Sequence, residues 1–306
     1  NKLQKINKTL YIVWGFCREK ILETENTDWD IDLVTNATPN QMKQVLKIAW
    51  EIWKKYGTCI VPQWWEAFEL TTFRKDIWSI NNRKPAEVEF TNSLEEDAKR
   101  RDFTFNAIYY NPETKQYIDP ENGIQDIKNK TIKFVGNIED RIQEDALRIL
   151  RFIRFKNKYS LKVANENYWK ILKENTPLLK NLPIERIKQE LDKILLNPNN
   201  TEALEDLKKI WFLKIFLPEI DCLDKYNWNK YHLEWDVWTH TKMTIKEMNK
   251  ILEKKTKTNL STTRQQKKNT SPLYKYFFIP FLKKRGGFFP PFNCIFFNTL
   301  VFINPL

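Results

Sequence analysis

The 306-residue sequence predicts an α/β head followed by an all-helical region. Two segments, 30–35 and 66–73, alternate polar and apolar residues with the period of a half-buried strand. Between them, Thr38 and Pro39 are typical of a helix start, with threonine as N-cap and proline in the first turn. Beyond residue 138, apolar residues recur at three-four spacing, which indicates packed helices.

The head is predicted to alternate between strands and helices. Residues 9–14, TLYIVW, are typical of a buried strand that ends in a turn at Gly15, and FCREKIL follows as a helix. The helix after the 30–35 strand is expected to continue through NQMKQVLKIAWEIWKKY. Ser93 and Glu96 form a capping box that opens a short helix. Further strands are expected at 105–110 and 131–135.

The helical region contains EDRIQEDALRILRFIRF, NYWKILKE, IERIKQELDKIL and EALEDLKKI, each with an apolar stripe. No internal repeat is visible. The predicted domains are a head at 1–136, a helical neck at 137–198, a helical body at 199–253 and a basic, phenylalanine-rich tail at 254–306.

The net charge of +12 is concentrated in the tail. Residues 254–306 contain ten Lys and Arg residues and no acidic residue, which leaves a net charge of +2 for the rest of the chain. The tail has no strand or helix period and no apolar run long enough to span a membrane. Three interpretations stay open: an RNA-binding arm, a membrane-surface segment, or a segment that is disordered or translated out of frame.

Cysteine and histidine usage excludes several kinds of site. The four cysteines show no CxxC spacing, so neither a zinc site nor a disulfide framework is indicated, and two histidines are too few for a histidine-rich metal cluster. The N-terminal segment has too short an apolar run for a signal peptide. The expected location is the cytoplasm, and no stable protein partner is inferred.

Two carboxylates, Asp30 and Asp32, occupy alternate positions of the 30–35 strand and therefore lie on one face. Such a pair is costly unless a cation neutralises it, and Mg²⁺ prefers hard oxygen ligands. Acidic residues on the solvent face of a half-exposed strand would give the same pattern.

The ordered set of motifs resembles the class II (bacterial-type) tRNA nucleotidyltransferases and their poly(A) polymerase relatives. The matching segments, in order, are YIVWGFCREKIL, DIDLVTNATP, FELTTFR, RKPAEVEF, SLEEDAKRRDFTFNAI, YIDPENGIQDIKNKTIKFVG and EDALRILRFIRF. The resemblance covers residues 9 to about 250. It implies a nucleotidyltransferase head, built on a small mixed sheet with flanking helices, and an all-α neck and body.

The resemblance implies that Asp30 and Asp32 are the catalytic, Mg²⁺-binding carboxylates, with Glu69 as a supporting third acid. Metal ions held in this way activate a 3′-hydroxyl and carry the charge of a leaving pyrophosphate. Gly15 and Arg18 would lie in the turn that cradles the triphosphate. Glu19 departs from the family, which has aspartate at this position.

Four further groups are implied to bind the nucleotide. Arg101 and Asp102 match the motif that recognises the ribose, although a surface ion pair would look the same. Asp145 and Arg148, three apart on a predicted helix, would share a face and pair with the Watson–Crick edge of C or A. An ordinary salt bridge is the alternative for this pair.

Glu144, which completes that motif, would hold the arginine in place, so that the protein itself serves as the template.

The implied function is template-independent addition of CCA, or part of it, to tRNA 3′ ends from CTP and ATP. A poly(A) polymerase-type adenylyltransferase, enzymes that add only CC or only A, and an inactive truncated product that binds RNA are the alternatives. KYHLEWDVWTHTKM resembles the start of an HD-type helical domain with His240 as its first metal ligand. No histidine follows, so an HD site would be absent or truncated.

Tryptophan is unusually frequent, with 12 residues against only six glycines. Five of them occupy positions where the family has glycine: Trp14, Trp53, Trp65, Trp211 and Trp235. A single base separates the codon GGA from UGA. We hypothesise that UGA codons are read as glycine in the source organism, with genuine substitutions in a decayed gene as the alternative.

Overall fold

The computed structural model describes residues 2–23, 31–46, 50–53, 57–63, 66–78, 85–226 and 236–260. Asp30, Trp65, Trp235 and the tail from residue 261 onward lie outside the described residues. No helix in the described ranges combines the length and the apolar character needed to cross a bilayer.

Strands and helices alternate along the head, and helices dominate the chain beyond residue 138, as the sequence predicts. The strands are β1 (Leu10–Val13), β2 (Asp32–Thr35), β3 (Trp50–Trp53), β4 (Thr58–Gln63), β5 (Glu66–Thr72), β6 (Arg74–Trp78), β7 (Pro85–Phe90), β8 (Tyr109–Asn111), β9 (Gln116–Ile118), β10 (Thr131–Ile132) and β11 (Lys162–Val163). The helices are α1 (Gly15–Ile21), α2 (Pro39–Val45), α3 (Leu94–Lys99), α4 (Gly123–Lys128), α5 (Ile138–Glu144), α6 (Arg148–Lys158), α7 (Asn167–Asn175), α8 (Ile184–Leu195), α9 (Asn200–Lys209), α10 (Phe212–Phe216), α11 (Pro218–Asp221) and α12 (Val237–Leu260).

Within the described ranges, one mixed sheet with the strand order β3-β4-β5-β2-β1-β8-β9 forms the head. β2 and β5 are parallel, and every other neighbouring pair in this sheet is antiparallel. Buried side chains cover the sheet in two clusters, one around Phe73 and Tyr109 and one around Met42 and Leu70. The predicted fold class is therefore confirmed for the head.

The helical region is organised around α6. Its residues Phe152 and Ile153 are fully buried, and α6 contacts α8 and α9 as well as the head. The ring of Phe152 stacks on Phe134, with centroids 5.6 Å apart, and the ring of Phe155 meets Phe103 edge-on. This shared aromatic core joins the neck directly to the head. The predicted boundary between body and tail at residue 253 falls inside α12.

The prediction of one long helix after Pro39 is wrong. α2 ends at Val45, Leu46 has an extended backbone, and Trp50–Trp53 forms a strand that pairs with β4. Trp50 pairs with Ile60 of β4 and Trp53 pairs with Thr58, with an irregularity between the two pairs. Tertiary pairing therefore overrides the local helical spacing.

The continuous helix predicted through EDRIQEDALRILRFIRF is also wrong, because it is divided into α5 and α6. Asp145 is extended, with φ −145°, and its carboxylate accepts the Leu147 N–H at 3.1 Å. A hydrogen bond from the backbone to a nearby side chain competes with the backbone hydrogen bonds of a continuous helix. Asp145 and Arg148 thus do not share one continuous helix face.

The strands expected at 105–110 and 131–135 are shorter than predicted. Tyr109–Asn111 and Thr131–Ile132 are the strand segments, and Thr104–Asn106 is a short 3₁₀ helix. The predicted helix start at Thr38 is confirmed as a capping box. The Thr38 hydroxyl accepts the Gln41 N–H at 3.4 Å, and the Gln41 side chain accepts the Thr38 N–H at 3.0 Å.

We predict that Thr38→Ala lowers the free energy of unfolding by about 1 kcal/mol, because the first turn of α2 loses its cap. Urea unfolding followed by circular dichroism measures the change. Thr38→Ser, which keeps the hydroxyl, serves as the control and should remain close to the parent protein. Equal stability of the alanine variant and the parent would contradict the assignment.

Candidate active site

Sheet register places two of the predicted carboxylates on neighbouring strands. Leu33 of β2 pairs with Leu70 of β5 in parallel register, so the residues that precede them, Asp32 and Glu69, lie side by side on the two neighbouring strands. Asp32 also lies opposite Val13, the last residue of β1. The turn that leads into α1 therefore begins beside Asp32.

This carboxylate pair fits the chemistry of a magnesium site. Asp32 is partly exposed and Glu69 is exposed, so both can reach solvent and a cation that carries its own waters. Asp30, the third predicted carboxylate, lies outside the described residues. Within the described residues, no group of three His, Cys, Asp or Glu side chains is arranged to hold a metal, and this includes the surroundings of His240.

Gly15 begins α1, and Arg18 on the same helix points toward the neck. The Arg18 side chain is buried, with 6% of the residue exposed. Its Nε donates to the Tyr159 hydroxyl at 2.9 Å, and its Nη1 donates to Asn106 Oδ1. The guanidinium carbon lies 4.9 Å from the centroid of the Phe155 ring. These contacts fix α1 against α6, and the assignment of Arg18 to the triphosphate stays a prediction.

Glu19 is buried and also faces the end of α6. Its Oε1 accepts from Lys158 Nζ and from the Tyr159 hydroxyl, each at 3.0 Å. Burial alone would raise the pKa of the Glu19 carboxyl, but the neighbouring ammonium, hydroxyl and guanidinium groups hold it below its ordinary value. Glu19 therefore connects α1 to the C-terminal end of α6.

Asp97 on α3 is fully buried, and its carboxylate accepts hydrogen bonds from two arginines and a tyrosine. It accepts from Arg100 Nε at 2.8 Å, Arg101 Nη2 at 2.9 Å and the Tyr109 hydroxyl at 2.7 Å. Burial would raise the pKa of Asp97, but the two guanidinium groups and the hydroxyl hold it well below its usual range. Arg101, which is 3% exposed, also donates to the Asn106 carbonyl at 2.9 Å.

Asp102 extends these buried ion pairs and hydrogen bonds from the head into the neck. One carboxylate oxygen accepts the Phe103 N–H at 2.8 Å and Asn106 Nδ2 at 2.9 Å, and the other pairs with Arg151 Nη2 at 2.6 Å. Burial would raise the pKa of Asp102, but the Arg151 and Arg148 guanidinium groups, the Asn106 amide and the Phe103 N–H together hold it below its ordinary value. Arg101 and Asp102 are therefore a buried arrangement, which excludes the surface ion pair.

In the structure, Glu144 and Arg148 form an ion pair. The Glu144 carboxylate accepts from Arg148 Nη1, and the same guanidinium donates to the carbonyls of Arg141 and Arg100 at 2.8 Å each. Arg148 is 6% exposed, so its plane is fixed between the head and α5.

The Asp145 side chain has a different partner from that of Arg148. Its carboxylate lies 3.5 Å from Arg186 on α8 and keeps 17% of its side chain exposed. The two groups predicted to bind a base are thus held by separate partners, one by Glu144 and one by α8.

Sequence reasoning missed four members of this network: Asp97, Asn106, Arg151 and Tyr159. Asp97 and Arg101 are four apart, a spacing that signals a helical ion pair and that could have revealed the first of them. Asn106 contacts Arg18 and Asp102 within the head. Arg151 and Tyr159 are brought into contact by the packing of α6 against the head, which no local pattern records.

Two family models match the chain. The "Poly A polymerase head domain" matches residues 10–133, and the "Probable RNA and SrmB- binding site of polymerase A" matches residues 165–223. Together they cover the sheet and the middle of the helical region.

Curated relatives are CCA-adding enzymes of bacteria. The chain is 37% identical to that of Streptococcus uberis over 198 residues, which are 65% of this chain and 48% of the relative. It is 38% identical to that of Bacillus subtilis over 197 residues, with 64% and 49% covered. It is 33% identical to that of Ligilactobacillus salivarius over 244 residues, with 78% and 59% covered. The chain therefore spans about half the length of the curated relatives it matches.

Solved structures agree with these relatives. The Bacillus stearothermophilus CCA-adding enzyme in complex with CTP matches with a TM-score of 0.61 and 34% identity, over 68% of this chain and 49% of that one. An apo tRNA-processing enzyme matches with a TM-score of 0.61 and 23% identity, over 91% and 70%, and this likeness shows the fold alone.

We predict that Asp97→Asn makes stability less dependent on pH in the acid range. The native pKa of Asp97 is below its unfolded value of about 4, so its contribution is complete above that pH and is lost as the pH falls further. The variant also leaves Arg101 unpaired, which lowers the free energy of unfolding at neutral pH by about 3 kcal/mol or more.

Urea unfolding at several pH values between about 6 and about 3 measures both effects. The exposed Glu174→Gln is the control and should keep the pH dependence of the parent. An unchanged slope in Asp97→Asn would contradict the assignment.

Proposed function

This chain belongs to the tRNA nucleotidyltransferase and poly(A) polymerase family, and we propose that it adds CCA, or part of it, to tRNA 3′ ends from CTP and ATP. The observation that carries the proposal is the register of β2 and β5, which sets Asp32 beside Glu69. The turn into α1 starts next to Asp32, directly after Val13. Carboxylates for a cation and a turn for the triphosphate are thus adjacent.

Asp32 and Glu69, with Asp30, would hold Mg²⁺ in this site. When bound, the ion lowers the pKa of an attacking 3′-hydroxyl and neutralises charge that develops on the leaving pyrophosphate. The carboxylates orient that chemistry, since their position is fixed by the backbone ladder of the sheet.

Gly15 and Arg18 would place the triphosphate beside these carboxylates. Arg18 would act indirectly, by positioning the turn. Its guanidinium donates to Asn106 and Tyr159, and these contacts hold α1 in place. Arg101 and Asp102 would shape the ribose site in the same manner, as a buried framework. Preorganised groups of this kind lower the cost of orienting the substrate.

Asp145 and Arg148 would recognise the base. Arg148 offers guanidinium donors that Glu144 holds in a fixed plane, and Asp145 offers carboxylate acceptors. Acceptors and donors on a protein frame can match the Watson–Crick edge of C and of A, so no nucleic-acid template is needed.

The body would bind the RNA. A cleft of about 500 Å³ there is lined by four lysines, by two acidic residues, Glu205 and Asp221, and by Trp211. The lysines are Lys208, Lys209, Lys214 and Lys225. Lysine side chains neutralise phosphates without regard to sequence, which suits contact with a tRNA backbone.

We predict that Asp32→Asn reduces nucleotide incorporation by about a thousandfold or more, because a metal-held transition state loses several kcal/mol of stabilisation. The assay measures labelled CTP and ATP incorporation into a tRNA transcript that lacks CCA. It uses a chain with glycine at the five suspected glycine positions. Excess chelator should have the same effect on the parent.

Glu174→Gln is the matched control and should retain full activity. Activity of Asp32→Asn within about tenfold of the parent would contradict the role of Asp32. A chain that binds tRNA but incorporates neither nucleotide would favour the inactive RNA-binding product.

A poly(A) polymerase-type enzyme is the second candidate, because the head matches the model of that name. We predict that the CCA-lacking transcript gains two C and one A in sequence, as read on a denaturing gel with single and mixed nucleotides. Incorporation of ATP alone, in runs, would select the poly(A) alternative. Addition of only C or only A would select a partial activity.

A further inference from the structure

We propose that residues 14 and 211 of the native protein are glycines, encoded by UGA codons that the source organism reads as glycine, and that glycine at position 14 opens the nucleotide site. The role of residue 14 in nucleotide access rests on the proposed function. The assignment of glycine to positions 14 and 211 rests on the backbone conformation there.

Trp14 has a backbone conformation that only glycine adopts without strain. Its φ is 60° and its ψ is −118°. These angles are those of the first central residue of a type II′ turn, a position dominated by glycine because a Cβ clashes there. The turn joins β1 to α1, so its geometry is set by the sheet on one side and by a packed helix on the other.

Trp211 occupies the second glycine-like position. α9 ends at Lys209 with Ile210 as its C-cap, and Trp211 follows in the left-handed region with φ 64° and ψ 14°. Its N–H closes the helix end by donating to the Lys208 carbonyl at 3.0 Å. A left-handed residue directly after a C-cap is usually glycine.

Burial does not explain the indole at position 211, because 46% of the residue is exposed. The other non-glycine residues with positive φ in the described ranges are all polar. They are Asn7, Glu23, Lys115, Asn122, Lys130 and Ser160. Asparagine tolerates this region and a bulky aromatic residue does not, so the two tryptophans are the outliers. Both also belong to the five that the sequence marks as glycine positions.

The indole of Trp14 lies against the groups assigned to the nucleotide. Its ring is 5.7 Å from the Arg101 guanidinium and 5.4 Å from that of Arg151, the partner of Asp102. Glycine at this position would leave that volume, beside Asp32 and the turn, free for a nucleotide. Residue 14 is thus a determinant of nucleotide access.

The first experiment identifies the residues directly in protein purified from the source organism. Trypsin releases residue 14 in TLYIVWGFCR and residue 211 in IWFLK. Mass spectrometry is expected to find both peptides lighter by the difference between tryptophan and glycine, and the gene to carry UGA at both codons. Tryptophan in either peptide, or UGG at either codon, would overturn the inference.

The second experiment compares recombinant variants of the full chain. Trp14→Gly and Trp211→Gly are each expected to raise the melting temperature by a few degrees, since strain is relieved. Trp169→Gly, at a buried helical position, is the control and should lower it. If the first two variants lower the melting temperature as the control does, the backbone argument is wrong.

Equilibrium binding of CTP separates the two halves of the inference. Trp14→Gly is expected to bind CTP at least tenfold more tightly than the Trp14 chain, whereas Trp211→Gly should leave CTP affinity unchanged. Equal affinity of the Trp14→Gly and Trp14 chains would overturn the access role. If neither chain binds CTP although mass spectrometry finds glycine, the proposed function fails and the glycine assignment stands.

Discussion

The fold depends on a buried network of arginines and carboxylates where the head meets the neck. Asp97 forms an ion pair with Arg101 within the head, and Asp102 forms one with Arg151 on α6. Charges removed from water cost several kcal/mol each unless they are paired with good geometry. The two ion pairs and the hydrogen bond from Asn106 to Asp102 are all formed only when α3, the 3₁₀ turn after it and α6 are in place. The ion pairs therefore make the arrangement specific, while the aromatic core beneath them supplies apolar burial.

This constraint connects the two halves of the proposed site. Backbone pairing in the sheet sets Asp32 and Glu69, and it does so independently of the neck. The groups proposed to recognise the base, in contrast, depend on α5 and α6, and α6 is held against the head by Arg151 and by the contact of Arg18 with Tyr159. A nucleotide that bridges the sheet and the neck would thus meet groups that are already oriented.

Much of this could be predicted from the sequence, because the strand and helix periods and the motif order are local properties. The capped start of α2 and the carboxylate of β2 follow from spacing alone. The strand at Trp50–Trp53 could not be predicted, since its residues fit a helix until β4 offers a ladder. The break between α5 and α6 at Asp145 depends on one hydrogen bond, in which the Leu147 N–H donates to the Asp145 carboxylate. The partners of Glu19 and Asp102 lie far along the chain, and only the packing of α6 brings them together.

Native-state hydrogen exchange tests most directly whether the network makes head and neck one cooperative unit. The amides of β8 and α6 should open with the same free energy, and Arg151→Met should lower both by the same amount. If α6 exchanges through a lower-energy opening while β8 stays protected, and Arg151→Met affects α6 alone, the network does not couple the two.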